Sequence, residues 1–186
     1  MANATATKPA ANTNSNQSQP QNGGQTNYAP KHSVSFWKPK KSNDGAAAIF
    51  EFSAARGDRD ACFFVRMMPQ NGTGNGAKFL SDKAINVKLG LNDVGEMLSV
   101  LSGRTAGLGQ KNDKGYWSGL YHDSPNGNSV ITLNRGNTES PVMFFGLSVK
   151  RESSEGRFNI SLTPGEQEIL RAFLTHYLPQ LFVVES

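Results

Sequence analysis

Two stretches of this sequence set an aromatic and a basic side chain on one parity and the large apolar residues on the other. In PVMFFGLSVKR, Met143, Phe145, Leu147 and Val149 share one side of an extended chain, and Phe144, Ser148 and Lys150 share the opposite side. DACFFVRMMP sets Phe64 and Arg66 against Phe63, Val65 and Met67 in the same way. Trp37 and Lys38 end HSVSFWKP beside Lys40 and Lys41, and Tyr116, Trp117 and Tyr121 gather further on. Flat rings and cations together suit a single nucleic-acid strand. Each stacked base contributes about 1–3 kcal/mol, and each neutralised phosphate adds salt dependence. Taken singly, each aromatic reads better as core or subunit interface; taken as a set, opposite the apolar stripes, they favour binding. The candidate contact residues are Trp37, Lys38, Lys40, Phe64, Arg66, Trp117, Tyr121, Phe144 and Lys150. Gly146, between Phe144 and Ser148, is expected to let a strand approach closely.

Other chemistry finds less support. Tyr121-His122-Asp123 holds a His-Asp neighbour pair, but adjacent residues in a turn point apart and no nucleophile motif accompanies them. His32 and His176 are isolated, and Asp123-Ser124-Pro125-Asn126-Gly127 reads as turn chemistry. The glycine-rich RTAGLGQKNDKG lacks the GK[ST] ending of a phosphate loop. A single cysteine, Cys62, makes neither an internal disulfide nor a cysteine metal site, and fits a reducing compartment. The expectation is a protein without catalytic residues, metal or cofactor.

These side chains must be positioned by a domain, and the composition says where it starts. Residues 1–31 hold no acid and almost no large apolar side chain, too little to offset the entropy of ordering. They are expected to form a disordered polar tail, leaving residues 32–186 as one domain, long enough for its own core. Five of the 19 basic residues, Lys8, Lys31, Lys38, Lys40 and Lys41, precede Asn43, and none of the 15 acidic residues does. Beyond that point the charges nearly balance, which argues against a duplex binder living on phosphate contacts alone. No apolar run reaches the ~20 residues of a membrane span, and the N-terminal stretch lacks the apolar core of a secretory signal. The chain is expected inside the cell, in the cytoplasm, the nucleoid or an organelle.

HSVSFWKP, AAAIFEFSA, DACFFVRMMP and AINVKLGL read as strands bounded by Gly, Asp, Asn and Pro breakers. A helix is expected at about residues 93–102, with Asp93 and Glu96 as its capping box and Gly103 ending it. YWSGLYH, NSVITLNR, PVMFFGLSVKR and RFNISLT supply four more strands. Thr163, Pro164 and Glu166 then open a second helix as cap, first residue and capping-box partner. Ile169, Leu170, Phe173, Leu174, Tyr177 and Leu178 form its broad apolar face. Four strands and a helix thus occur twice.

In that order the residues resemble the Whirly family of single-stranded DNA-binding proteins. AINVKLGLNDVGEML resembles the family's fourth strand and the turn opening its first helix. LYHDSP resembles its aromatic-His-Asp-Pro turn with one Ser inserted, and Met68-Pro69 ends the third strand fittingly. FFGLSVKR and FNISLTPGEQEILRAFLTHYLPQLF resemble the last two strands and closing helix. The likeness covers about residues 33–182; the plant members' Lys-Gly-Lys-Ala-Ala-Leu motif is absent, as is their Gly-Trp after the last helix. It implies an α+β fold of two antiparallel four-stranded sheets packed crosswise with two helices. It also implies a homotetramer joined through helix faces, with single-stranded DNA along the sheets, in replication, recombination or repair. RNA binding or annealing by the same fold is the first alternative, since stacking does not distinguish the sugars. A structural oligomer without nucleic acid is the second.

Overall fold

A computed structural model describes residues 32–123, 127–136, 140–151 and 154–182. The expected tail lies outside the described residues, as do Ser124–Asn126 of the expected turn. β1 (His32–Lys38), β2 (Ala46–Ser53), β3 (Cys62–Asn71) and β5 (Ile85–Leu89) pair antiparallel in that order. The two-residue β4 (Lys78–Phe79) adds a fifth strand against the end of β3. β6 (Leu120–His122), β7 (Asn128–Arg135), β8 (Met143–Arg151) and β9 (Ser154–Leu162) form the second antiparallel sheet. α1 (Leu91–Leu101) follows the first sheet and α2 (Pro164–Tyr177) the second, and a 3-10 turn over Leu178–Leu181 closes the described chain.

Period-two alternation decides which residues meet. Phe50, Phe63, Val65 and Met67 of the first sheet are fully buried, as are Ile131, Leu133, Phe145 and Leu162 of the second. Phe50 and Phe145 join the two inner faces edge-on, with ring centres 5.0 Å apart. Helices complete the layer: Val94, Met97 and Val100 of α1 and Leu170 and Leu174 of α2 are buried in the same core. Phe52 stacks on Tyr177 at 4.7 Å, and Phe63 meets Phe173 edge-on.

Two expected elements are corrected. α1 begins at Leu91, capped by extended Gly90, and Asp93 serves from the third helical position, its Oδ2 accepting the Gly90 N–H at 2.6 Å. A carboxylate there satisfies an orphan donor and faces the positive helix end. Glu96 therefore lies outside the cap, whereas Gly103, at φ +76°, ends the helix as expected. YWSGLYH is a strand only at Leu120–His122. Gly119 stops it, at φ +76° with the Ile131 carbonyl where a Cβ would stand. The rest of β7's edge is taken by the glycine-rich segment instead: the Leu108 N–H donates to the Leu133 carbonyl, and the Arg135 N–H to the Ala106 carbonyl. The Thr163–Pro164–Glu166 cap of α2 stands as the sequence implies.

Phe144 and Phe145 are chain neighbours on opposite faces, 46 % exposed and fully buried. Phe145→Ala should cost about 3–5 kcal/mol, and Phe144→Ala about 1 kcal/mol or less. Urea unfolding at one fixed protein concentration measures both; equal costs would mean that the faces are assigned wrongly.

Candidate nucleic-acid interface

Because successive strand residues leave on opposite sides, each sheet keeps a second face that the core does not use. On the first sheet the pairing register aligns that face in rows. Trp37 stands beside Ala47, and Ala47 beside Met68. The next row runs Ser35, Ile49, Arg66, Asn86, and the next Ser33, Glu51, Phe64, Lys88. Trp37 is 51 % exposed and its ring meets Phe79 of β4 at 5.1 Å, so the short fifth strand braces it. Phe64 is 37 % exposed. Arg66 Nε donates to Asn86 Oδ1 at 2.8 Å, which fixes the guanidinium plane across β3 and β5. Ile49, Glu51, Phe64, Arg66 and Asn86 enclose a depression of about 250 Å³. A carboxylate, Glu51, thus sits within this face.

The second sheet repeats the arrangement. One row runs Tyr121, Val130, Ser148, Arg157; the next Thr132, Gly146, Asn159; the next Asn134, Phe144, Ser161. Tyr121 is 61 % exposed and Lys150 is exposed further along β8. Trp117 comes from the glycine-rich loop, half-buried, its indole lying where a Cβ on Gly107 would stand. Trp117, Thr132, Ser148, Arg157 and Asn159 line a second hollow, also about 250 Å³.

Of the nine candidates, the structure groups Trp37, Phe64 and Arg66 on one outer face and Trp117, Tyr121, Phe144 and Lys150 on the other. Lys38 and Lys40 are placed elsewhere. Lys38 follows Trp37 in the strand and so points the other way, its Nζ 2.6 Å from Glu166 in the α2 cap. Lys40 Nζ pairs with Asp44 at 3.2 Å, and its backbone N–H donates to Gln70 Oε1. Gly146 offers no open approach: Asn159 Oδ1 and Thr132 Oγ1 close over the position a Cβ would take. The glycine makes room for neighbouring side chains. Arg157 and Asn159 join the second face without having been singled out in the sequence, because β9 carries no aromatic on that parity.

His122 pairs with Asp93, 29 residues away, its Nε2 3.0 Å from Oδ1, which ties β6 to the start of α1. The His32 ring accepts or donates at 2.6 Å to the Tyr177 hydroxyl. Burial pushes the Cys62 thiol up, away from a reactive thiolate. No group of three or more metal-ligating side chains occurs among the described residues, and none of their helices is long and apolar enough to cross a membrane.

No family model and no curated protein matches the sequence. Solved structures do. WHY1 from Arabidopsis thaliana superposes with a TM-score of 0.61 at 18 % identity, over 81 % of this chain and 85 % of that one. The chain has the Whirly fold. The plant transcriptional regulator PBF-2 gives 0.57 at 18 % identity, covering 82 % and 83 % of the two chains. A guide-RNA-binding protein complex bound to a guide RNA gives 0.52 at 18 % identity, over 81 % of this chain and 90 % of that one. At such identity the Whirly likeness is one of backbone: two helices and two antiparallel sheets, with the outer-face side chains this chain's own.

Within this Whirly fold the Lys38–Glu166 pair has a pH signature. Burial raises the Glu166 carboxyl, but Lys38 and the Thr163 N–H and hydroxyl outweigh it and hold it below its ordinary value of 4.5. A depressed folded-state value contributes stability above the unfolded value and loses it as pH falls through the folded one. Glu166→Gln keeps a capping side chain and removes the charge. It should cost about 1 kcal/mol at neutral pH, and that difference should vanish below the folded-state value. Melting curves of both proteins between neutral and strongly acidic pH test this; a difference unchanged by acid would exclude the ion pair as its cause.

Proposed function

We propose that this chain binds single-stranded nucleic acid, with single-stranded DNA as its main ligand, held largely without regard to sequence. The observation that carries the reading is the exposure of Trp37, Phe64, Tyr121 and Phe144, between 37 % and 61 %, on the sheet faces turned away from the core. Large rings left in water on a regular sheet lose apolar burial unless something covers them. Bases cover them well, because every base presents a π-face. Arg66, Lys88 and Lys150 stand on the same faces to meet phosphates. Lys38 and Lys40, already paired with carboxylates, contribute to a bound strand less than they do to the fold.

The fold supports this reading by company, since PBF-2 is a transcriptional regulator and the guide-RNA complex was captured on RNA. That second neighbour favours RNA binding as the alternative function. Roles in replication, recombination or repair belong to the leading reading. A homotetramer through the helix faces is part of the same proposal: Leu91 of α1 and Ile169 of α2, at 42 % and 52 % exposed, leave apolar surface for a second copy. The 1–31 segment, with Lys8 and Lys31, would add phosphate attraction.

Fluorescence anisotropy with labelled oligo-dT of about 30 nucleotides, its RNA counterpart and a duplex, at about 50 and 200 mM salt, tests the proposal. We expect tight, salt-weakened binding to the single-stranded DNA and weak binding to duplex. Trp37→Ala with Phe144→Ala should weaken it by about 2–6 kcal/mol if each ring stacks one base. Stronger RNA binding would transfer the function to RNA; binding to none of the three would leave a structural oligomer.

A further inference from the structure

The hollow on the second sheet differs in kind from the depression on the first. Its floor is the Thr132–Gly146–Asn159 row, where Asn159 Oδ1 and Thr132 Oγ1 lean over the glycine. Ser148 and Arg157 form the adjoining row, and the Trp117 indole forms a wall. That wall is held in place. The ring rests on Gly107 so closely that a Cβ there would lie 2.4 Å from it, and the Ser118 hydroxyl next to it accepts the Gln110 N–H.

Arg157 also differs from Arg66 and Arg171, whose side chains are engaged. Arg66 is bonded to Asn86 and Arg171 to Glu168. Arg157 has no hydrogen-bonding or ion-pair partner among the described residues, and neither do the side chains of Ser148, Thr132 and Asn159. One planar donor fork, one amide and two hydroxyls therefore converge beside an indole face with their capacity unused. A merely sequence-tolerant track needs rings and cations; it does not need four unspent polar groups around one cavity.

We propose that this hollow is a base-reading site that takes a single guanine, stacked on Trp117 and recognised by Arg157 and Asn159. The inference rests on the single-strand binding proposed above and adds one selective position to that otherwise tolerant track. About 250 Å³ lies below the ~300–1,000 Å³ of drug-sized ligand sites, room for one base. The donor fork of Arg157 matches the O6 and N7 acceptors of guanine, the pairing that arginine forms most readily with a base edge. Guanine also carries N–H donors, for which Asn159 Oδ1 and the Ser148 and Thr132 hydroxyls are acceptors. Adenine offers Arg157 one acceptor and sets its amino donor against the fork. The neighbouring exposed rings, Tyr121 and Phe144, would hold adjoining bases without choosing among them.

The test uses the full chain and labelled oligo-dT of about 30 nucleotides carrying isolated guanines, spaced to prevent guanine tetrads, against matched oligonucleotides carrying adenines or cytosines. The guanine series should bind at least about 5-fold more tightly than the adenine series. Replacing guanine by 7-deazaguanine, which lacks the N7 acceptor, should remove most of that gain. Arg157→Lys keeps the charge and loses the fork; it should bind plain oligo-dT within about 3-fold of wild type while the guanine preference disappears. Its melting temperature should match the wild type. Equal binding of all series by the wild type, or a preference that survives Arg157→Lys, would overturn the guanine site and leave single-strand binding standing. Binding to no oligonucleotide would overturn both.

Discussion

The edge-on contact of Phe50 with Phe145, 5.0 Å between ring centres, closes the two sheets on one another. Once it forms, the parity of every other strand residue follows. Phe63, Val65 and Met67 must turn inward with Phe50, and Leu147 and Val149 with Phe145. Phe64, Arg66, Phe144 and Lys150 are thereby committed to the outside. A slip of one residue would send Phe144 into the core and put Phe145 in water, so stability and the outer surface depend on one register.

The helices cover what the sheets leave open. Phe173 and Tyr177 of α2 reach the aromatic rings of β2 and β3, and α2 is anchored at its other end by the Thr163–Glu166 cap and by Lys38. His122 with Asp93 links the second sheet to the start of α1. Charged groups near the helix ends are therefore engaged in holding the layers together. The cations turned to the outer faces, Arg66, Lys88, Lys150 and Arg157, are a different set from those that sequence proximity to Trp37 suggested.

Much of this was legible in the residue order because it depends on local rules. Alternation in PVMFFGLSVKR and DACFFVRMMP identified both faces of β8 and β3, and Thr-Pro-x-Glu identified the start of α2. Lys38 follows Trp37 in the strand, so the same rule turns it to the other face, where it meets Glu166. YWSGLYH looked like a strand by composition, yet Gly119 at positive φ ends the pairing. Its place on the β7 edge passes to Ala106–Leu108, a substitution that local propensity does not encode.

What the sequence determined by itself is the order of the main strands and the two helices, the inward and outward parity of β3 and β8 and the cap of the second helix, all set by steric periodicity and short-range hydrogen bonding. The tertiary structure decided which outward residues stand together. Trp117, Ser148, Arg157 and Asn159 come from a loop and two strands and converge only because the β7–β8–β9 register aligns them. It also decided which charges are consumed, since Lys38 meets Glu166 across 128 residues of chain. Contacts of that range are fixed by the packing of whole layers, and no pattern within a single segment carries them.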